Sequence, residues 1–160
     1  MLNLTNKLIL NTILLLSIFS LFSAYYIQYI LDFEPCNLCL YQRFPYFLSI
    51  IVITIGMVLK KFEKIVFILL SVIFLSATIL SFYHFGIEQG FFEESFVCEL
   101  NNEHNTLSKD ELLKILKEKT VNCKDVAFRV FGLSLASINT IVSLFLSIIV
   151  INKIINYEKN

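Results

Sequence analysis

Four long apolar segments constrain the fold of this 160-residue chain more than any other feature. They cover about residues 8–31, 40–59, 65–85 and 130–151, with few charged side chains in any of them. A helix that rises roughly 1.5 Å per residue needs about 20 residues to cross a hydrocarbon core about 30 Å thick. Hydrophobic residues make up 57% of the sequence, which is more than a soluble domain of this length could bury. We therefore predict an all-α membrane protein, a single domain over residues 1–160 with four transmembrane helices.

The first two apolar segments each allow a second interpretation. The first follows Lys7 as a signal peptide would, but it is longer than a signal-peptide core and lacks a good cleavage site, so we predict a retained helix. The second contains Pro45. If this helix starts near Cys36, Pro45 lies inside it and favours a kink. If Pro45 is the first helical residue, residues 36–44 form a separate turn, and the sequence leaves both starts open.

A polar loop of about 40 residues, 86–125, separates the third and fourth segments. Within it, Ser108 and Glu111 have the spacing of a helix capping box. Apolar residues then recur at helical spacing between lysines, which predicts a short helix over residues 108–119. Such a helix is either solvated on one face or lies on the membrane surface.

Charge and cysteine positions indicate the orientation in the membrane. Four spans place both termini on the same side as the 60–64 hairpin, which has three lysines, whereas the 32–43 hairpin on the other side has one arginine. Lys and Arg in short loops favour the cytoplasmic side. All four cysteines fall on the opposite side, and disulfides persist in oxidising compartments such as the periplasm. We therefore predict cytoplasmic termini and periplasmic cysteines.

The same charges argue against a nucleic-acid ligand. The chain has 13 basic and 13 acidic residues, and the basic ones are scattered. Nucleic-acid binding normally needs a basic patch or stripe. We therefore predict no nucleic-acid partner, and membrane lipid is the partner that the apolar segments imply.

The cysteines form two pairs of different spacing. Cys36 and Cys39 make a CxxC motif, whose thiols can close a small exchangeable ring and in which one thiol often ionises easily. A four-thiolate zinc site would need two close pairs, but Cys98 and Cys123 are far apart in sequence. A purely structural disulfide in a CxxC ring would stabilise little, because it constrains few residues. The pattern indicates redox chemistry, and we predict no metal site.

Two ionisable residues lie near the predicted depth of the CxxC motif. Arg43 follows Cys39 by four residues, so a helix would put both on one face, where the guanidinium would favour a Cys39 thiolate. The alternative is an arginine that only snorkels to the interface. His84 ends the third segment and is a functional candidate for its position, or else a histidine satisfied by interfacial water.

Three segments resemble one family. Residues 36–43 (CNLCLYQR) look like the CxLCxxQR signature of the disulfide bond formation protein B (DsbB) family. Residues 83–90 (YHFGIEQG) are similar to the segment after that family's third helix. Cys123 and residues 131–139 (FGLSLASIN) are similar to its return into the fourth helix. The resemblance covers essentially the whole chain, in order.

The resemblance implies a fold, a reaction and partners. The fold is a four-helix bundle with a long periplasmic loop, in the bacterial inner membrane. The reaction is reoxidation of a periplasmic thioredoxin-like dithiol oxidase (DsbA-like), with electrons passed to a membrane quinone, either ubiquinone or menaquinone. Such a protein supports disulfide bond formation.

The resemblance also implies a role for each site residue. Cys98–Cys123 would be the disulfide that the partner attacks, and Cys36–Cys39 would reoxidise it. Arg43 and Cys39 would face the quinone, with His84 nearby. Two alternatives are a paralogue that serves one dedicated oxidase and a membrane assembly protein with structural disulfides. A vitamin K epoxide reductase-like protein is disfavoured, because its CxxC normally comes late in the chain.

Overall fold

The computed structural model describes residues 4–59, 63–93, 123–124, 128–130 and 132–158. These residues are mostly helical, with one small antiparallel hairpin. The elements are α1 (Leu4–Tyr29), α2 (Asn37–Tyr41), α3 (Phe44–Leu59), α4 (Glu63–Glu88), β1 (Arg129–Val130), β2 (Leu133–Ser134) and α5 (Leu135–Glu158).

Four helical segments are long and apolar enough to cross a membrane: Leu4–Tyr29, Asn37–Leu59, Glu63–Glu88 and Leu135–Asn156. Many large apolar side chains point away from the protein, as a lipid-facing surface requires. The prediction of four helices that are long and apolar enough to cross a membrane is therefore confirmed. The predicted loop over 86–125 falls mainly outside the described residues, and the predicted helix over 108–119 lies wholly outside them.

The second span is divided at Gln42 and Arg43. α2 ends at Tyr41, and α3 begins at Phe44, so Pro45 is the second residue of α3. In the first turn of a helix the missing N–H of proline breaks no helical bond. The structure is therefore nearer to the second interpretation, a separate turn followed by a helix start, than to one kinked helix.

The fourth span begins later than the apolar pattern suggests. Arg129 pairs with Ser134 and Val130 pairs with Leu133, which makes a short hairpin before α5. Gly132 has φ +83°, a left-handed conformation that a residue without Cβ adopts at little cost. A short apolar run cannot be told from a helix start by composition alone, so the predicted start near residue 130 moves to Leu135.

Helix α4 is the centre of the bundle and packs against both α3 and α5, while α1 packs against α3. At the end that holds the N-terminus, Asn6 Nδ2 donates to Glu63 Oε2 over 2.7 Å. Between α1 and α3 the Ser17 and Ser49 hydroxyls are 3.0 Å apart. The main core contains Leu10, Ile13, Leu21, Tyr46, Ile53, Val66, Phe67, Leu70, Phe74, Leu146 and Val150.

A close approach of α3 and α4 depends on Gly56. A Cβ on this residue would lie 2.6 Å from Val66 Cγ2, so the two helices would have to separate. We expect Gly56→Val to destabilise the protein by about 1–3 kcal/mol, which is typical of overpacking. Thermal unfolding in detergent measures this, with Ile55→Val as the control because Ile55 is 51% exposed. An unchanged unfolding temperature for Gly56→Val would contradict the close packing.

Candidate redox-active site

The CxxC geometry follows from the start of α2. Cys36 is the N-cap, with extended backbone, and its Sγ accepts a hydrogen bond of 3.3 Å from the Cys39 N–H. This cap brings the two sulfurs to 3.0 Å from each other. Both are free thiols, and a disulfide bond would be about 2.05 Å long. The cap therefore places the two sulfurs side by side, and the predicted Cys36–Cys39 disulfide stays a prediction.

His84 contacts this cysteine pair directly. It lies on α4, is only 1% exposed, and places Nε2 at 3.5 Å from Cys36 Sγ. Its other ring nitrogen, Nδ1, is 2.8 Å from Gln42 Nε2, and Glu88 Oε1 lies 3.8 Å from His84 Nε2. The alternative of a histidine satisfied by interfacial water does not agree with this burial. The structure brings His84 to Cys36.

A polar network extends from His84 into the helix bundle. Gln42 Oε1 accepts from Asn139 Nδ2 over 3.1 Å, and the same nitrogen donates to Ser81 Oγ over 2.7 Å. Asn139 Oδ1 accepts from the Tyr46 hydroxyl. The sequence prediction did not include Asn139 in the site. The signal was an amide side chain within an apolar span, because polar groups at that depth must find protein partners.

Arg43 lines the site but has other partners than predicted. Its Nη1 donates to Gln28 Oε1, and its guanidinium carbon lies 4.9 Å from the centre of the Tyr25 ring. Both partners belong to the last turns of α1. The expected shared helix face with Cys39 is absent, because α2 ends at Tyr41 and a turn precedes α3. The arginine is thus held by α1.

The cysteine whose thiolate form is stabilised also differs from the prediction. The pKa of Cys36 is lowered from the usual thiol value, first by the hydrogen bond with the Cys39 side chain and then by His84. Burial acts in the opposite direction and is outweighed. The sequence pattern had suggested a Cys39 thiolate beside Arg43. The described contacts instead favour a thiolate on Cys36 beside His84.

An apolar cavity of about 370 Å³ adjoins the cysteines. This volume lies within the range of small-molecule sites, which are mostly apolar with a few polar groups. Its polar lining includes Cys36, Cys39, Gln42, Arg43, His84, Glu88 and Asn139, and its apolar lining includes Leu16, Phe19, Leu21, Ile27, Phe128, Leu135, Ile138 and Val142. The cavity can hold an apolar ring against two sulfur atoms and several N–H donors.

Cys123 lies next to the CxxC motif. It is 2% exposed, takes part in a disulfide, and belongs to the same buried cluster as Cys36, Leu38 and Ile87. Cys98 lies outside the described residues, so the predicted Cys98–Cys123 pairing stays a prediction. The structure brings three of the four predicted cysteines to one place.

The arrangement suits sulfur exchange better than a metal ion. Cys36 Sγ, Cys39 Sγ and a ring nitrogen of His84 lie within 4.8 Å of one another. Two thiolates on one tetrahedral zinc ion, each about 2.3 Å from it, would be about 3.8 Å apart. The observed sulfur separation of 3.0 Å is shorter. That no metal binds here stays a prediction.

Comparison with known proteins agrees with the family resemblance of the three sequence segments. A family model described as "Disulfide bond formation protein DsbB" matches residues 6–152. A Rickettsia prowazekii (strain Madrid E) protein, named as uncharacterized, is 30% identical over 155 residues, which are 95% of this chain and 90% of that protein. The SPbeta prophage-derived disulfide bond formation protein B of Bacillus subtilis (strain 168) is 33% identical over 99 residues, 61% of this chain and 62% of that protein. No solved structure matches.

Proposed function

This chain belongs to the DsbB family of disulfide bond formation proteins, and from that premise we propose that it is a quinone-linked thiol oxidase of the bacterial inner membrane. Its partner is a periplasmic DsbA-like oxidase of the thioredoxin fold. One observation carries the proposal beyond family membership. The CxxC sulfurs line an apolar cavity together with buried hydrogen-bond donors, at one end of a bundle of apolar helices.

The residues around the cavity fit a quinone. A quinone is a flat apolar ring with two carbonyl oxygens, so its site needs apolar walls and a few donors. Side chains of α1 and α5 supply the walls, Arg43 supplies N–H groups for the oxygens, and His84 lines the cavity beside Cys36. When bound, the quinone supplies an acceptor for two electrons and two protons. Ubiquinone and menaquinone both satisfy these requirements.

The electron path consists of balanced thiol–disulfide exchanges. The partner's dithiol becomes a disulfide while the Cys98–Cys123 disulfide becomes two thiols. That pair returns to its disulfide while the Cys36–Cys39 disulfide opens to two thiols. Re-forming the Cys36–Cys39 disulfide would release two electrons and two protons, and a quinone held in the cavity would accept them. The burial of Cys123 in one cluster with Cys36 supports exchange between the pairs.

An anaerobic reconstitution tests the proposal. Purified protein is mixed with a reduced DsbA-like partner and excess quinone, while partner thiols and quinone absorbance are followed together. We expect two partner thiols to disappear for each quinone that is reduced. A paralogue dedicated to one oxidase would act on only one of several partners. If neither partner thiols nor quinone changed, the chain would be an assembly protein with structural disulfides.

The proposed orientation places both termini in the cytoplasm and the cysteines in the periplasm. Since Lys64 lies at the end of the bundle opposite the CxxC motif, a cysteine placed there should be shielded in intact cells. We expect a membrane-impermeant thiol reagent, added after reduction, to label Cys98, and to label Cys123 more slowly because Cys123 is buried. Lys64→Cys should be labelled only after the cells are permeabilised. The reverse pattern would contradict this orientation.

A further inference from the structure

The hydrogen of the Ser81 hydroxyl determines how the polar network is oriented. Ser81 Oγ lies 2.7 Å from the Ala77 carbonyl oxygen, which can only accept, so the Ser81 hydroxyl donates there. The Asn139 atom 2.7 Å from Ser81 Oγ must therefore be a donor, the amide nitrogen. The same nitrogen faces Gln42 at 3.1 Å, so Gln42 presents its oxygen to Asn139. Gln42 then presents its amide nitrogen to His84.

This orientation determines the protonation of the imidazole. Gln42 Nε2 is 2.8 Å from His84 Nδ1, and an amide nitrogen can only donate. Nδ1 must accept, so a neutral His84 carries its hydrogen on Nε2, which lies 3.5 Å from Cys36 Sγ. If the side-chain amide of Gln42 or Asn139 were rotated by 180°, two donors or two acceptors would face each other somewhere in this hydrogen-bond network.

We propose that Ser81, Asn139 and Gln42 are positioning residues that hold His84 in the Nε2–H tautomer, with that hydrogen directed at Cys36 Sγ. They act through His84 and do not touch the sulfur. The opposite tautomer would present a lone pair to Cys36 and could not stabilise a thiolate there. This proposal rests on the proposed function, because it takes Cys36 to be a redox-active thiol.

The groups that face Cys36 are consistent with this role. On α2, the Cys39 N–H and thiol lie against its sulfur. On α4, His84 is the donor, and Glu88, 3.8 Å from His84 Nε2, adds negative charge that opposes a thiolate. Arg129 on β1 acts on Glu88, and Cys123 in the same buried cluster is disulfide-bonded. The guanidinium of Arg43 donates to Gln28 instead of Cys36. Among the described residues, the basic side chain that lies against Cys36 Sγ is therefore His84.

The tautomer can be measured directly, without partner or quinone. The chain has two histidines, so protein labelled with ¹⁵N-histidine gives two imidazole signals, and His84→Asn assigns them. In the reduced protein at neutral pH, we expect the hydrogen of His84 on Nε2. Gln42→Ala and Asn139→Ala should each give a mixture of tautomers. Thr140→Ala is the matched control, because Thr140 adjoins Asn139 but bonds to the Ala136 carbonyl.

The pH profile of alkylation supplies the second readout. Mass spectrometry follows how fast iodoacetamide modifies Cys36 in the reduced protein at each pH. We expect the midpoint of this profile to rise by a few tenths of a unit in Gln42→Ala and Asn139→Ala, about twofold less thiolate below the midpoint, because part of the imidazole population no longer donates to Cys36. Thr140→Ala should match the wild type.

Two results would overturn the proposal: a hydrogen on Nδ1 in the wild-type reduced protein, or variants with unchanged tautomer and unchanged midpoint. The wild-type tautomer alone decides the matter if the variants do not fold. Failure of the proposed function is distinguishable, since it would leave the tautomer on Nε2 while quinone remains oxidised in the reconstitution.

Discussion

Cys39→Ser is expected to abolish quinone reduction by the reconstituted protein. The substitution removes one of two sulfurs that lie 3.0 Å apart, so the pair can no longer form a disulfide or deliver two electrons together. The rate should fall to that of partner and quinone mixed without the protein. The fold should persist, because the cap of α2 uses the backbone N–H of residue 39 and the sulfur of Cys36, and serine keeps both.

A separate readout shows that this loss is chemical. One round of exchange between the partner and the Cys98–Cys123 pair should continue in Cys39→Ser, since neither of those cysteines is altered. Tyr41→Phe is the control, because Tyr41 belongs to the same short helix but is 56% exposed. Sustained quinone reduction by Cys39→Ser would mean that the CxxC motif does not carry the electrons.

Arg43→Ala is expected to slow quinone reduction by about 10²–10³-fold, the usual effect of losing a donor to developing negative charge. The guanidinium lines the same cavity as Cys39, and Gln28 and Tyr25 hold it in place. Exchange between the partner and the Cys98–Cys123 pair should be unaffected. Arg43→Lys should recover part of the rate, because the charge remains but the planar donor fork is lost.

Stopped-flow with separate signals for quinone and partner thiols measures this difference. Lys7→Ala is a matched control, since it also removes a basic side chain and Lys7 is exposed near the start of α1, away from the cavity. Gln28→Ala should have a smaller effect than Arg43→Ala, because it removes the anchor and keeps the charge. If Arg43→Ala kept the wild-type rate and quinone affinity, Arg43 would be an interfacial anchor only. The quinone site would then have to be sought near His84 and α4.

The sequence alone predicted the four spans and the family. Long apolar segments leave few alternatives to membrane helices, since backbone polar groups must be paired within the lipid. The CxxC motif depends on two residues three positions apart, so its local geometry follows from one helix start. The family resemblance also rests on short contiguous segments. The start of the fourth span was wrong because an apolar hairpin and an apolar helix start have similar composition.

Only the tertiary structure decided which polar side chains meet. His84 and Cys36 are 48 residues apart, and Asn139 and Gln42 are 97 apart. Their contacts depend on how α3, α4 and α5 are rotated about their axes and packed together. When nearly every face of a helix is apolar, the hydrophobic pattern does not show which face points into the bundle. The partner of Arg43 was undetermined for the same reason. In such helices the few polar groups must pair with one another, but which ones pair depends on the packing of the helices.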